Sequence, residues 1–555
     1  MSSSTVSTAA EQLDKLYEFD REPVSEDRLL GPGYFAGAYA GEHVAATEFV
    51  IGVLFVNWGA SVTDIFIGLA LGNLLAVLTW TLLCAPIAVD TRLTMYWYLR
   101  RIGGPYFTVV YNVLNALLFC ILAGCMITVS ASALRIPLGI PAQVHQYPDD
   151  FRFVLLVFGV GAVVVVLAML GFKKLADFST VCSPWMFLMF ISGAGVMLPV
   201  LAQKAGSSSI DSIGSFFEMG RRVVWTGVTP DGSPPLGFWK VAAFAWICNL
   251  AMHAGLSDMA MWRYARKASY GLTSAVGIFF GHYIAWICAG MMGVGASLLL
   301  NQPLASLDSG GIAYRALGWA GILAVVLAGW TTSNPTLYRA GLALQAITPN
   351  WSRARVTLVA GIATTIVACF PFVFTRLLDF VGIYGLLLGP AGAIVMAEHW
   401  LFPRLGYTRY WTDYQNKSMN WPALIAWASG IALALGLERT GTLHLFFLFI
   451  PVFALTILVY LILAPMAGAK LPPPPGGENR YPKPRPAAAR PPVVKPPLNS
   501  VAKLAGVVAL AALVVSLVIP FYGGSFEGPL MAATLVYFLS GTYYYTEYRK
   551  NDETA

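Results

Sequence analysis

The sequence predicts an all-α, polytopic membrane protein of about 14 transmembrane helices, the first ten forming two inverted halves of five. Three observations lead there. Of 555 residues, 57% are hydrophobic and 11% charged, more apolar sequence than a soluble domain of that size needs. The apolar residues gather in continuous runs long enough to cross a bilayer. The runs also divide into residues 34–203 and 238–403, five in each. An odd number per half makes the second half enter the membrane from the opposite side, which is the arithmetic of an inverted repeat.

Taken in order, residues 1–33 form a polar, acidic tail with no basic n-region, apolar h-region or cleavage site, so no signal peptide is expected and the first run is retained. The core runs cover 34–56, 62–89, 105–134, 152–171, 178–203, 238–258, 271–300, 317–346, 355–374 and 377–401. Between the halves, the outer loop 204–236 either folds over the outer vestibule or is disordered. Residues 404–465 add two runs, 421–437 and 442–464, peripheral to the core. The linker 466–499 is basic and proline-rich, with 11 prolines and six Lys or Arg in 470–499. It is an extended cytoplasmic segment able to lean on anionic lipid at about 1 kcal/mol per charge. Two last runs, 500–521 and 528–546, occupy 500–547 with few polar residues and suit a homo-oligomer or lipid contact, and 548–555 is a second cytoplasmic tail.

Orientation follows from the basic residues. Of the 35 Lys and Arg, 26 fall on the side that carries both ends of the chain, Arg263 and Arg339 among them. That side is cytoplasmic, which makes the protein a multi-pass component of the cell (inner or plasma) membrane. The formal charge of +7 therefore reflects topology and not nucleic-acid binding. The seven cysteines sit in apolar stretches without CxxC or metal-like spacing, so neither a disulfide framework nor a zinc site is expected.

Three runs carry polar residues where only apolar ones belong. Run 1 has Gly41, Glu42, His43, Thr47 and Glu48, and run 6, at the matching place in the other half, has Asn249, His253, Gly255 and Asp258. Both should be discontinuous helices whose unwound backbone offers carbonyls and amides to an ion and a ligand at the midplane. Glu42 is costly at that depth unless paired or protonated, which makes a functional role the default. Glu48 is expected on the outer half within reach of water, and Asp258 and Arg263 at the cytoplasmic exit of run 6. Run 8 holds a polar island, residues 329–345. Ala328, Thr331 and Thr332 share one face of that helix, Pro335 frees the carbonyl of Thr331, and Asn334 adds an amide. Such a face can hold a small cation; Ser and Thr bonding their own backbone, and glycines and histidines serving as packing residues, fit the same residues.

WTTSNPTLYRAGLALQAIT at 330–348, VGIYGLLLGPAGAIVMAEHWLFPR at 381–404 and SMNWPALIAWASGIALALG at 418–436 resemble the second half of cytosine and purine permeases of the nucleobase:cation symporter-1 family. The first half is similar in Pro23, Val24 and Arg28, in GASVTDIFIGLALGNLL at 59–75, in Arg101 with Gly103, and in SDMAMWRY at 257–264. The resemblance covers about residues 20–465. It implies a LeuT-like transporter with a 5+5 inverted repeat and peripheral helices, substrate between runs 1, 3, 6 and 8, and a sodium site for which Ala328, Thr331 and Thr332 have the matching spacing. The chain departs from the family in run 3, where no Trp lies between Trp97 and Trp185 and Phe119 is the nearest aromatic. It departs in run 6 as well, where Asn249 stands in an aromatic's place with Trp246 one turn away. Glu42 and His43 are also untypical.

The expected function is secondary active uptake of a nucleobase-like or other small nitrogenous solute. Na+ is favoured as the coupling ion, H+ is the alternative, and no other cofactor is expected. Substrate should lie near Gly41, Glu42, His43, Phe119, Trp246, Asn249, His253 and Asn334. A sensing protein on a transporter fold is the alternative function. An intramembrane enzyme is not expected, because no nucleophile is paired with a base.

Overall fold

The computed structural model describes residues 18–19, 21–143, 145–475, 497–522 and 525–553. Among them there is no strand, only the isolated bridges Leu30 to Ala265 and Ser61 to Thr226. Each of the fourteen predicted runs is helical over most of its length. Nine helical stretches among the described residues are long and apolar enough to cross a membrane.

The first half comprises α1 (Pro32–Glu42) and α2 (Glu48–Asn57), α3 (Asp64–Thr91), α4 (Met95–Leu134), α5 (Phe151–Met169) and α6 (Phe172–Lys204). The second comprises α7 (Phe238–Met252) and α8 (Met259–Trp262), α9 (Ala268–Leu300), a short α10 (Ser309–Leu317), α11 (Trp319–Gln345), α12 (Arg353–Ala368) and α13 (Leu377–Met396). Runs 1 and 6 are thus each two helices, broken at corresponding places. The polar island of run 8 stays helical within α11, which is not among the nine because that island interrupts its apolar length.

Local chemistry explains both breaks. α7 ends where Ala254 and Gly255 take φ of 42° and 70°, and the Gly255 N–H closes the helix end on the Leu250 carbonyl at 2.9 Å. α1 ends at His43, whose N–H bonds the Tyr39 carbonyl at 3.1 Å while its backbone leaves the helical region. α9 packs against this end because it presents glycine there. A Cβ on Gly277 would lie 2.0 Å from the Tyr39 carbonyl oxygen, so only a bare backbone fits.

α11 lies along α4 and touches α1, α6 and α12, which puts it at the centre of the bundle. α14 (Trp421–Thr440) and α15 (Leu445–Ala469) pack on each other and on α13. α16 (Ser500–Tyr522) and α17 (Glu527–Glu553) pair with each other and dock on α6 and α11. Trp185 donates to Thr534 at 3.1 Å, Tyr537 to the Val181 carbonyl at 2.7 Å, and Arg549 pairs with Asp177 at 3.1 Å. The outer loop carries a capped helix, Ile213–Met219, with Phe216 and Phe217 against Phe66 of α3, so folding over α3 replaces the alternative of disorder. Residues 1–17 of the N-terminal tail and 476–496 of the linker lie outside the described residues.

Candidate functional site

The two breaks face each other. His43, after α1, and His253, after α7, stack with ring centroids 5.2 Å apart and planes within 7°, and His282 of α9 lies 4.8 Å from His43. All three line a cavity of about 50 Å3. Run 1 contributes Glu42, His43, Thr47 and Glu48 to its wall, run 6 contributes Cys248, Asn249 and His253, and α11 contributes Thr332 and Thr336. Leu122 and Met126 of α4 supply an apolar side.

Glu42 and His253 of the cavity wall also belong to a buried ion cluster. Arg339 of α11, 1% exposed, meets Glu42 through Nη1 to Oε1 at 2.5 Å and Nη2 to Oε2 at 3.0 Å. Its Nη2 also meets Asp258 Oδ1 at 2.6 Å. Asp258 accepts from the Trp80 indole at 2.5 Å, from the Tyr39 hydroxyl and from His253 Nδ1 at 2.8 Å. Every oxygen of both acids is thus engaged, which is the condition for keeping charge at this depth. Glu48, also in the cavity wall, accepts from the Trp286 indole and, at 3.4 Å, from Thr47, and stands 3.6 Å from His282.

A third group is made of oxygens alone. The Thr332 hydroxyl lies 2.9 Å from the Ala328 carbonyl and 3.1 Å from the Glu42 carbonyl at the end of α1. The Thr331 hydroxyl lies 3.2 Å from the same Ala328 carbonyl. The kept helix of run 8 and the broken end of run 1 therefore bring hydroxyl and main-chain carbonyl oxygens together within hydrogen-bond distance.

The remaining expected site residues lie elsewhere. Gly41 faces α6, where a Cβ would come within 2.6 Å of Ser179, so it is a packing glycine. Phe119 is buried under Arg339, with the guanidinium carbon 5.8 Å from the ring centre. Trp246 turns outward, its indole donating to Thr79 at 3.0 Å and its ring against Phe449. Asn334 is buried and does not line the cavity, because two residues on from Thr332 is about 200° round a helix.

Three charged residues lie deeper than their place in the sequence predicts. Arg339, expected at a cytoplasmic helix end, lies inside the bundle. Asp258 was expected at an aqueous exit and is 0% exposed, and Glu48, expected near water, is 3% exposed. Arg263 is also buried, held by the carbonyls of Glu18 and Phe19 and 3.3 Å from the Tyr338 hydroxyl. One signal in the sequence pointed to Arg339: with Thr332 and Thr336 it follows the i, i+4, i+7 spacing of a single helical face. His282 had no such signal. Among the described residues no group of three or more His, Cys, Asp or Glu side chains could hold a metal ion, and the imidazoles stack instead of converging.

No family model matches the chain, and no curated protein matches it. Solved structures do. Mhp1, a nucleobase-cation-symport-1 family transporter in a closed conformation with bromovinylhydantoin bound, superposes with a TM-score of 0.62 at 17% identity over 84% of this chain and 99% of its own. An inward-facing conformation of Mhp1 gives 0.58 at 16% identity, over 83% and 97%. A substrate-bound, outward-open Na+-coupled sialic acid symporter gives 0.57 at 16% identity, over 83% and 96%. At these identities the likeness is one of fold. The chain is an all-helical membrane protein of LeuT-like fold, built on the architecture of these transporters.

Proposed function

We propose that the protein is a secondary active transporter that couples uptake of a small nitrogenous solute to a monovalent cation, and that it is a divergent member of the nucleobase:cation symporter-1 family in the cell membrane with both termini cytoplasmic. The observation that carries this reading is the meeting of two broken helices around one cavity, beside the oxygen cluster of Ala328, Thr332 and Glu42. Alternating access needs a central site that both halves of the repeat can open and close, and broken helices provide it.

Na+ is the favoured ion. Thr332 and the carbonyls of Ala328 and Glu42 would hold it, with Thr331 supporting the Ala328 carbonyl from behind. Bound there, the ion joins run 1 to run 8, so that its arrival favours one arrangement of the halves over another. A cytosine or purine substrate has weaker support, because neither Phe119 nor Trp246 reaches the cavity and its rings are imidazoles.

The test uses full-length protein in proteoliposomes. Counterflow of a radiolabelled solute, scanned over nucleobases and small amines, separates a transporter from a sensor, since only a transporter exchanges internal for external label. Thr332→Ala should abolish Na+ stimulation of that exchange and the Na+-dependent rise in thermal midpoint. Sodium dependence that survives unchanged in folded Thr332→Ala would rule the threonine site out.

A further inference from the structure

The hairpin of α16 and α17 does not close fully on the core. Beside its contacts with α6, a groove of about 610 Å3 runs between α6, α11 and α17, within the roughly 300–1,000 Å3 of ligand-binding clefts. Its two ends differ in chemistry. Phe178 of α6, Leu323 and Leu327 of α11, and Leu535 and Phe538 of α17 give it an apolar length, while Lys174, Asp177, Arg549 and Lys550 give it a charged end. The contacts of Trp185 with Thr534, Val181 with Tyr537 and Asp177 with Arg549 run in opposite chain directions. α6 and α17 are therefore antiparallel, which brings Lys174 near the start of one to the same end as Lys550 near the finish of the other.

Length and level point to lipid. From Leu535 to Arg549 α17 climbs about 21 Å, at about 1.5 Å per residue. One leaflet with its headgroups is about 20–22 Å deep, half of a bilayer. Tyr543, Tyr544, Tyr545 and Tyr548 crowd the last turns of α17 beside Arg549 and Lys550, as aromatic rings do at the membrane–water interface, so the charged end stands at headgroup level. Leu535, Thr542 and Thr546 are exposed, and the groove opens sideways along them. Charge fixes the sign of the occupant. Asp177 is engaged by Arg549 at 3.1 Å and by the Tyr545 hydroxyl at 2.9 Å. Lys550 meets Glu547 at 2.7 Å while remaining largely exposed, a kind of pair worth little, and Lys174 is exposed with no ion pair among the described residues. Three basic side chains against one acid in the wall make this end attractive to an anionic headgroup.

We infer that the groove is a binding site for one anionic glycerophospholipid, with an acyl chain along Phe178, Leu327 and Phe538 and the phosphate at Lys174 and Lys550. A soluble anion has no use for the apolar length, and a zwitterionic lipid brings its own ammonium to the basic end. The site lies apart from the central cavity and stands whether or not the protein transports a solute.

The experiment adds dioleoyl phosphatidylglycerol, dioleoyl phosphatidylcholine or glycerol 3-phosphate to full-length protein purified in detergent and stripped of native lipid. Retained lipid is read by native mass spectrometry, and stabilisation by the thermal midpoint. Phosphatidylglycerol should be retained at one per chain and raise the midpoint. Phosphatidylcholine, with the same chains, and glycerol 3-phosphate, a phosphate without chains, should do neither at equal concentration. Lys174→Ala combined with Lys550→Ala should weaken phosphatidylglycerol binding about 25-fold, about fivefold for each basic residue at an anionic headgroup. Leu535→Trp, which narrows the apolar length without touching a charge, should weaken it too, and Lys503→Ala, exposed on α16 outside the groove, should leave it unchanged. Should the double variant fail to fold, Leu535→Trp and the contrast between the lipids decide. The inference is overturned if phosphatidylcholine or glycerol 3-phosphate binds as well as phosphatidylglycerol, or if no lipid is retained. It is equally overturned if the folded double variant or Leu535→Trp keeps the parent's affinity, or if Lys503→Ala loses as much as the double variant.

Discussion

Arg339 is the residue on which the interior depends. A guanidinium with two carboxylates in reach forms planar, paired hydrogen bonds that a lysine cannot reproduce, and here it joins α11 to the end of α1 and to the turn after α7. Removing it leaves Glu42 and Asp258 as uncompensated buried charges. Arg339→Met is therefore expected to cost about 3–5 kcal/mol, read as a lowered thermal midpoint and reduced monodisperse yield. Glu42→Gln added to Arg339→Met should recover part of the loss, because it removes one of the stranded charges. A single variant as stable as the parent would show that the cluster is not ionised as drawn. At the neighbouring Asn334, both amide atoms are buried without a partner and the residue stands off the cavity. Asn334→Leu should alter solute affinity less than twofold in a binding titration.

At the scale of elements, fold and function meet where α9 passes the break in run 1. Gly277 lets the α9 backbone sit against Tyr39, with Gly281 one turn on near the His43 carbonyl. That approach places His282 beside His43. Gly277→Ala adds a Cβ facing backbone, which cannot yield as a flexible side chain can, and should cost about 1–3 kcal/mol by overpacking. The loss is measurable as a lower thermal midpoint, and an unchanged midpoint would mean that α9 slides without penalty. Both breaks were legible in the sequence, because Glu42, His43, Asn249 and His253 are polar where an apolar spanning helix has no use for them. The directions of side chains were less so. Phe119 and Trp246 lie on the expected helices but turn to other neighbours, and single-chain periodicity does not say which neighbour a face will meet. Arg339 and Asp258 depart from expectation for a different reason. Counting basic residues assigns every charge to a loop, and only the fold shows two opposite charges meeting between helices distant in sequence.

At the scale of the whole molecule, the described conformation is held closed at one end. The cavity is small, and one end of the bundle is closed by the described residues Glu18, Phe19 and Arg21. Arg263 holds the Glu18 and Phe19 carbonyls, while Arg21 donates to the carbonyls of Gln345 and Thr348, each at 2.6 Å. A transporter must open that end and the opposite one in turn, and Cys248, buried in the cavity wall, can report both events without a substrate in hand. The decisive measurement is labelling of Cys248 by a membrane-impermeant methanethiosulfonate applied from either side of oriented vesicles, in a variant whose other six cysteines are serine or alanine. Alternating access around this cavity predicts labelling from both sides, with Na+ raising the rate from one side and lowering it from the other. Labelling from one side only, at a rate indifferent to Na+, would contradict the account.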